Sequence, residues 1–301
     1  MDRRRFAQLI AAAGLQSLLP RSFAQSVAQS SAPAPPRAGG FRFSVMLWTL
    51  EKQAPFDRCL EIVSEAGYEG VELVGEFHAW SAADRSRVMA KMRSLGLHFD
   101  LLSGMKSGFA DPAGAPALLA ELTAQCNTAG ELESPAINLK SGPRIEGLAP
   151  AAQHAASVEN LKRAADLVAA HNLQIVIEPI DPIENPAMYM TSVVEGFSIV
   201  REVASPHVKV LYDFYHEQRA AGNLIEKLEN NFDLVGLVHI AEVPGRHQPG
   251  AGEIDYRTIY RKLAELKYGK FIAMEFFPIG DAATALRTAR LDALGAQAST
   301  S

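Results

Sequence analysis

From Phe41 to the C-terminus, short apolar runs alternate with longer segments of helical period. The runs at 43–47, 70–74, 98–102, 136–139, 174–178, 208–213, 235–240 and 271–275 are mostly apolar, four to six residues long, and bounded by Gly, Pro or polar positions. That length and composition reads as buried strand. The intervening segments read as helices at 55–66, 81–95, 116–130, 150–171, 192–204, 217–230 and 255–267, with a last one from Asp281. Their ends carry the expected signals: Ser81, Asp255 and Asp281 as N-caps, Gly67 and Gly96 as stops. Strictly alternating strand and helix argues for βα units and a parallel sheet. Eight of each predict an α/β fold of the (β/α)8 TIM-barrel type. A doubly wound sheet would need a Gly-rich turn after the first strand, and Leu47-Trp48-Thr49-Leu50 is not one.

Four of the strands end in the same way. The run at 174–178 closes on Glu178, the run at 208–213 on Asp213 with His216 three residues on, the run at 235–240 carries His239, and the last closes on Glu275. In a parallel barrel, strand C-termini converge at one mouth, where side chains of distant segments meet. Three carboxylates and an imidazole supply hard oxygen donors and one nitrogen, a set suited to Mg²⁺, Mn²⁺ or Co²⁺ rather than to a thiolate-rich structural zinc. Without a cation, three carboxylates in one pocket would repel and one would protonate. Glu184, His216 and Arg246 lie on the adjoining loops and can reach substrate oxygens. A solvated loop acid, a backbone-satisfied histidine and a surface arginine are the plainer alternatives. Trp48 and Phe109 are candidates for an apolar wall or for core, Glu72 and Lys140 for an outer shell, and His247 for a solvated loop residue.

The first forty residues have a different pattern. Met1-Asp2-Arg3-Arg4-Arg5-Phe6 is basic, Leu9 to Leu19 is apolar, and small-x-Ala sites end at Ala24 and Ala28. This is the order of an export signal over residues 1–28, too short in its apolar part to span a bilayer. Arg3, Arg4 and Phe6 resemble a twin-arginine signal, so export to the periplasm is expected. Residues 29–40, rich in Ser, Ala, Pro and Gly, read as a disordered tether, 41–295 as the catalytic barrel and 296–301 as a disordered tail. The chain is 48% hydrophobic, enough for one large core. A net charge of −5 gives no encouragement to nucleic-acid binding. Cys59 and Cys126 fall inside helical segments and read as small buried hydrophobes.

Ile177-Glu178-Pro179-Ile180, Leu211-Tyr212-Asp213-Phe214-Tyr215-His216, and the stretch from His239 through Pro244-Gly245-Arg246 to Gly252-Glu253-Ile254 resemble the hydroxypyruvate isomerase family of xylose-isomerase-like barrels. The resemblance spans roughly residues 41 to 295 and extends to ketose 3-epimerases. It implies that Glu178, Asp213, His239 and Glu275 bind one divalent ion, Mn²⁺ or Mg²⁺ with Co²⁺ or Zn²⁺ as alternatives. It further implies that Glu178 and Glu275 move a proton through a cis-enediolate, while Glu184, His216 and Arg246 hold substrate. At His239 the hydroxypyruvate isomerases commonly carry Gln, whereas ketose 3-epimerases use His. An exported enzyme would meet sugars, sugar acids or keto-glycosides, so a 3-epimerase or a lyase is the runner-up, and a non-catalytic metal-containing sugar-binding barrel the rival from another class. The expected partner is a small carbonyl or sugar substrate, with no nucleic acid and no stable membrane insertion. Such barrels are commonly homo-oligomers.

Overall fold

The computed structural model describes residues 40–299. Eight parallel strands close into a barrel in the order of the chain. They are β1 (Arg42–Met46), β2 (Gly70–Val74), β3 (His98–Ser103), β4 (Ala136–Lys140), β5 (Gln174–Glu178), β6 (Val208–Asp213), β7 (Val235–Ile240) and β8 (Phe271–Met274). The helices are α1 (Phe56–Glu65), α2 (Ala82–Leu95), α3 (Ala115–Glu131), α4 (Pro150–Ala170), α5 (Val193–Val203), α6 (Phe214–Ala220), α7 (Leu224–Asn230), α8 (Tyr256–Glu265) and α9 (Ala282–Ala298). The expected export signal, and all but the last residue of the expected tether, lie outside the described residues. Among the described residues no helix is long and apolar enough to cross a membrane.

Side chains alternate across each strand, so one set faces the helices and the other the barrel axis. Val45, Leu73, Leu139, Ile177, Tyr212 and Ile240 pack in the larger apolar cluster, together with the buried stripes of the helices. Met46, Leu101, Val176, Leu211, Leu237 and Phe271 form a second, smaller cluster. Two residues further along their strands, Val176, Leu211 and Leu237 are followed on the same face by Glu178, Asp213 and His239. A plug of hydrocarbon therefore underlies the polar layer at the mouth.

Local chemistry sets the element ends. Ser81 and Asp84 form a reciprocal capping box on α2, and Asp255 and Asp281 accept backbone N–H groups of Thr258 and Thr284 at the starts of α8 and α9. Two expectations are corrected. The single helix over 217–230 is two: α6 starts on Phe214, capped by Asp213, and stops before Gly222 and Asn223, both left-handed with φ of 60° and 53°. Gly and Asn tolerate that region where most residues do not, so the chain turns there. The last helix runs to Ala298, so the expected boundary at 295 falls inside it. Both cysteines are buried and free, and burial pushes each thiol up to about 11.

His154 of α4 bridges to α5, with Nδ1 2.8 Å from Glu195 and Nε2 3.0 Å from Glu202. Partial burial works against the charged ring, but the two carboxylates outweigh it and raise its pKa above the usual 6.5. A raised folded-state pKa stabilises fully below the unfolded value and loses the contribution as pH rises through the folded one. His154→Gln is therefore expected to lower the melting temperature below pH 6 and to melt with the wild type at pH 9. Equal melting at both pH values would remove the clamp from the stability of the helix pair.

Candidate active site

Every strand-end residue predicted to bind metal arrives at one place. One donor atom each from Glu178, Asp213, His239 and Glu275 lies within 4.8 Å of all the others, and all four side chains are buried. Strand pairing places Asp213 directly opposite His239 across β6 and β7. Glu178 ends β5, and Glu275 follows β8 immediately, its N–H donating to Ile240 O at 3.1 Å.

Asp213 divides its two oxygens between two tasks. Oδ1 accepts the N–H groups of Tyr215 at 2.7 Å and His216 at 3.3 Å, capping α6. Oδ2 has no hydrogen-bond partner; His216 Nε2 and Arg246 Nη2 stand 3.6 and 3.7 Å away. Burial raises the pKa of Asp213, against the opposing pull of His216 and Arg246. Glu275 shows the opposite balance. Burial pushes it up, but Arg246, with Nη2 at 2.9 Å, and His239, with Nδ1 at 2.8 Å, hold it well below the usual carboxylate range. Trp48 Nε1 donates to its other oxygen at 3.3 Å. Glu178 accepts Asn138 Nδ2 at 2.6 Å.

The loop residues gather on the same mouth. Arg246 is buried with φ of 56°, a left-handed conformation, after Gly245 at 90°. Its N–H donates to Glu242 O and its own carbonyl accepts from Phe277, which ties the β7 loop to the β8 loop. Its guanidinium reaches Glu184 at 3.1 Å and stacks 4.9 Å over the Tyr215 ring. Glu184 is exposed and also meets Arg219 at 3.3 Å. His216 Nδ1 lies 2.7 Å from Asp181 Oδ2, leaving Nε2 toward Asp213. Burial opposes its charged form, but Asp213 and Asp181 win and raise its pKa.

Of the remaining candidates, Trp48 borders the site and packs edge-on against Phe277, whereas Phe109 is fully buried core. Lys140 is exposed at the end of β4. His247 is half-buried, its Nδ1 2.9 Å from Phe277 O, which makes it part of the loop scaffold rather than a solvated residue. Glu72 is fully buried beside His239. Sequence reasoning missed Asn138, Asp181, Tyr215 and Arg219. A signal existed for two of them: Asn138 interrupts an otherwise apolar strand, and Asp181 precedes a proline on the loop that follows Glu178.

The donor set fits a divalent cation. Three buried carboxylates need compensating charge, since a lone buried ion costs several kcal/mol. Protein cations balance them only in part: Arg246 lies against Glu275 and Asp213, and Glu72 and Glu275, against burial, raise the pKa of His239 well above its ordinary value. Oδ2 of Asp213 has no hydrogen-bond partner, and one nitrogen of His239 lies within 4.8 Å of a carboxylate oxygen of each of the three acids, as a shared cation would require.

Residues 60–291 match the model of the xylose isomerase-like TIM barrel family. The chain belongs to that family. It is 26% identical over 242 residues to hydroxypyruvate isomerase of Escherichia coli (strain K12), covering 79% of this chain and 93% of that protein. It is 26% identical over 253 residues to 2-oxo-tetronate isomerase of Haemophilus influenzae, covering 81% and 96%. Among solved structures, AP endonuclease, family 2, from Brucella melitensis superposes with a TM-score of 0.75 at 25% identity, covering 82% of this chain and 97% of that one. The two curated relatives support an isomerase, and the fold and family expected from the strand-end motifs are those found.

Proposed function

We propose that the protein is a divalent-metal-dependent isomerase that moves a proton between the hydroxyl-bearing carbon beside a carbonyl and the carbonyl carbon itself, on a small hydroxycarbonyl or sugar substrate. The observation that supports this most directly is the pair Glu178 and Glu275, delivered from β5 and β8 to a common cluster with Asp213 and His239. These four residues would hold the cation, Mn²⁺ or Mg²⁺ by their hard donors. Bound there, it supplies Lewis acidity to a substrate carbonyl and the neighbouring hydroxyl oxygen.

The chain's own groups do the rest. Glu178, held by Asn138, and Glu275 would be the two carboxylates that move the proton: the one that takes it from carbon becomes the carboxylic acid that can return it at the neighbouring carbon. The two environments differ: Arg246 and His239 stabilise Glu275 as an anion, while Glu178 meets a neutral amide. His216 and Arg246 offer N–H donors to substrate oxygens, with Asp181 and Tyr215 fixing their directions. Orientation of this kind supplies a large share of a rate enhancement. A 3-epimerase acting by the same proton transfer is the second reading, favoured by the imidazole of His239 standing among the carboxylates. Export to the periplasm by a twin-arginine-type signal remains part of this proposal, carried by Arg3, Arg4 and Phe6.

Proton exchange tests the function. Mature protein with Mn²⁺ or Mg²⁺ is incubated in deuterated water with hydroxypyruvate, a panel of ketoses and keto-glycosides, and followed by NMR. Metal-dependent deuterium at the carbon beside a carbonyl is the expected result, and the compound that exchanges names the substrate class. Bound metal with no exchange in any compound would defeat the isomerase reading in favour of the binding barrel.

A further inference from the structure

Below the four clustered donors, the structure carries a second acidic pair that the proposed proton transfer does not use. Glu72 of β2 and Asp100 of β3 are both buried inside the described fold. Glu72 Oε2 lies 3.0 Å from His239 Nε2, a charge contact set off the line of an ideal hydrogen bond, and neither atom has any other partner. On the opposite side of the same ring, Nδ1 lies 2.8 Å from Glu275. We propose that Glu72 is a positioning residue for the cation: it holds the imidazole of His239 from behind so that Nδ1 faces Glu178, Asp213 and Glu275. This inference rests on the cation site proposed above.

Three observations carry it. A histidine ring has two equivalent-looking edges, and the one that binds is decided by the partner of the other. Here the other edge is committed to a carboxylate, the arrangement that fixes ring direction and raises ligand basicity. Glu72 is in turn held. Ser44 Oγ donates to its Oε1 at 3.4 Å, and Asp100 stands beside it from the neighbouring strand, burial and the Glu72 charge raising the Asp100 carboxyl well above its usual range.

The barrel wall is also shaped around the pair. A Cβ on Gly70 would stand 2.6 Å from Ser44 Cβ, 2.7 Å from Asp100 Oδ1 and 2.8 Å from the Phe271 ring. Such contacts are too close, so β2 needs glycine where Asp100 needs room. Finally, a stack of acids is a poor way to stabilise a barrel interior. Well-packed apolar groups of similar size do at least as well as buried ionic ones. The acids therefore point to the ring they support.

The test reads metal affinity and ligand field rather than turnover. The full mature chain, stripped of metal, is titrated with Co²⁺ by calorimetry and by its visible absorption, as wild type, Glu72→Gln, His239→Gln and the double variant. Loss of such an outer partner weakens metal binding by about 10–100-fold. Glu72→Gln is expected to show that loss together with an altered absorption band, and to add nothing further once His239 is Gln. Wild-type affinity and spectrum in Glu72→Gln would overturn the proposal. So would an equal loss in both backgrounds, which would mark Glu72 as a general support of the barrel. Should Glu72→Gln not fold, Glu72→Asp keeps the charge but shortens its reach, and is expected to show the same loss confined to the background that retains His239. Failure of the wild type itself to take up Co²⁺ would instead strike at the cation site, a distinct result.

Discussion

Glu178→Gln is expected to abolish most of the proton exchange while the protein stays folded and still melts near the wild type. Glu178 sits at the end of β5 with its carboxylate on Asn138 Nδ2, and a Gln carbonyl can accept the same bond. Little packing changes, but the amide cannot take a proton from carbon. Positioned acid–base groups contribute roughly 10²–10⁴-fold to rate. A loss of that size in turnover, measured by deuterium incorporation at saturating metal, is the expected outcome. Glu275→Gln is expected to fall as far and to disturb more, because it also removes the anion that Arg246 and His239 share. Activity within a few-fold of wild type in either variant would take that glutamate out of the proton transfer.

Asp213→Asn separates two roles that one side chain performs. An Asn Oδ1 can still accept from Tyr215 and His216, so α6 keeps its cap. That leaves the NH₂ group where Oδ2 was, aimed at the space between Glu178, His239 and Glu275. A donor has replaced an acceptor, and the site has lost a negative charge. Metal affinity is expected to drop by more than the about 10–100-fold typical of losing an outer hydrogen bond. Stability should change little. Asp213→Ala, by contrast, loses the cap as well, which costs about 0.5–2 kcal/mol. Calorimetric metal titration beside thermal melts of the two variants checks both statements. Wild-type metal affinity in Asp213→Asn would exclude Oδ2 as a ligand.

The arrangement also explains why Arg246 is buried. Its guanidinium contacts Glu184 and Glu275 and packs over Tyr215, so it spans from the exposed rim to the clustered carboxylates. The turn that aims it uses Gly245 and a left-handed Arg246, a conformation uncommon for a residue that carries a Cβ. Backbone bonds to Glu242 and Phe277 hold it in place. Glu242, fully buried, further accepts the N–H groups of Gly250 at 3.0 Å and Ile254 at 3.1 Å, pinning the far end of the same loop. The loop is thus tied by hydrogen bonds at both ends.

Much of this was legible in the chain alone. Apolar runs ending in Glu178, Asp213, His239 and Glu275 announced both the strands and the residues at their mouths, because period and length of hydrophobic stretches follow directly from burial. The capping residues Ser81, Asp255 and Asp281 were equally plain, since a cap acts within a few residues of itself. The break of the expected sixth helix was written in Gly222-Asn223, though its helical period hid it. What only tertiary structure decided were the contacts between strands far apart in sequence. Asn138 on Glu178, Asp181 on His216, and Glu72 behind His239 join positions separated by tens to more than a hundred residues. Periodicity places a side chain on the inner or outer face of its own strand. Which neighbour it meets depends on the stagger and closure of the barrel, and those are properties of all eight strands at once.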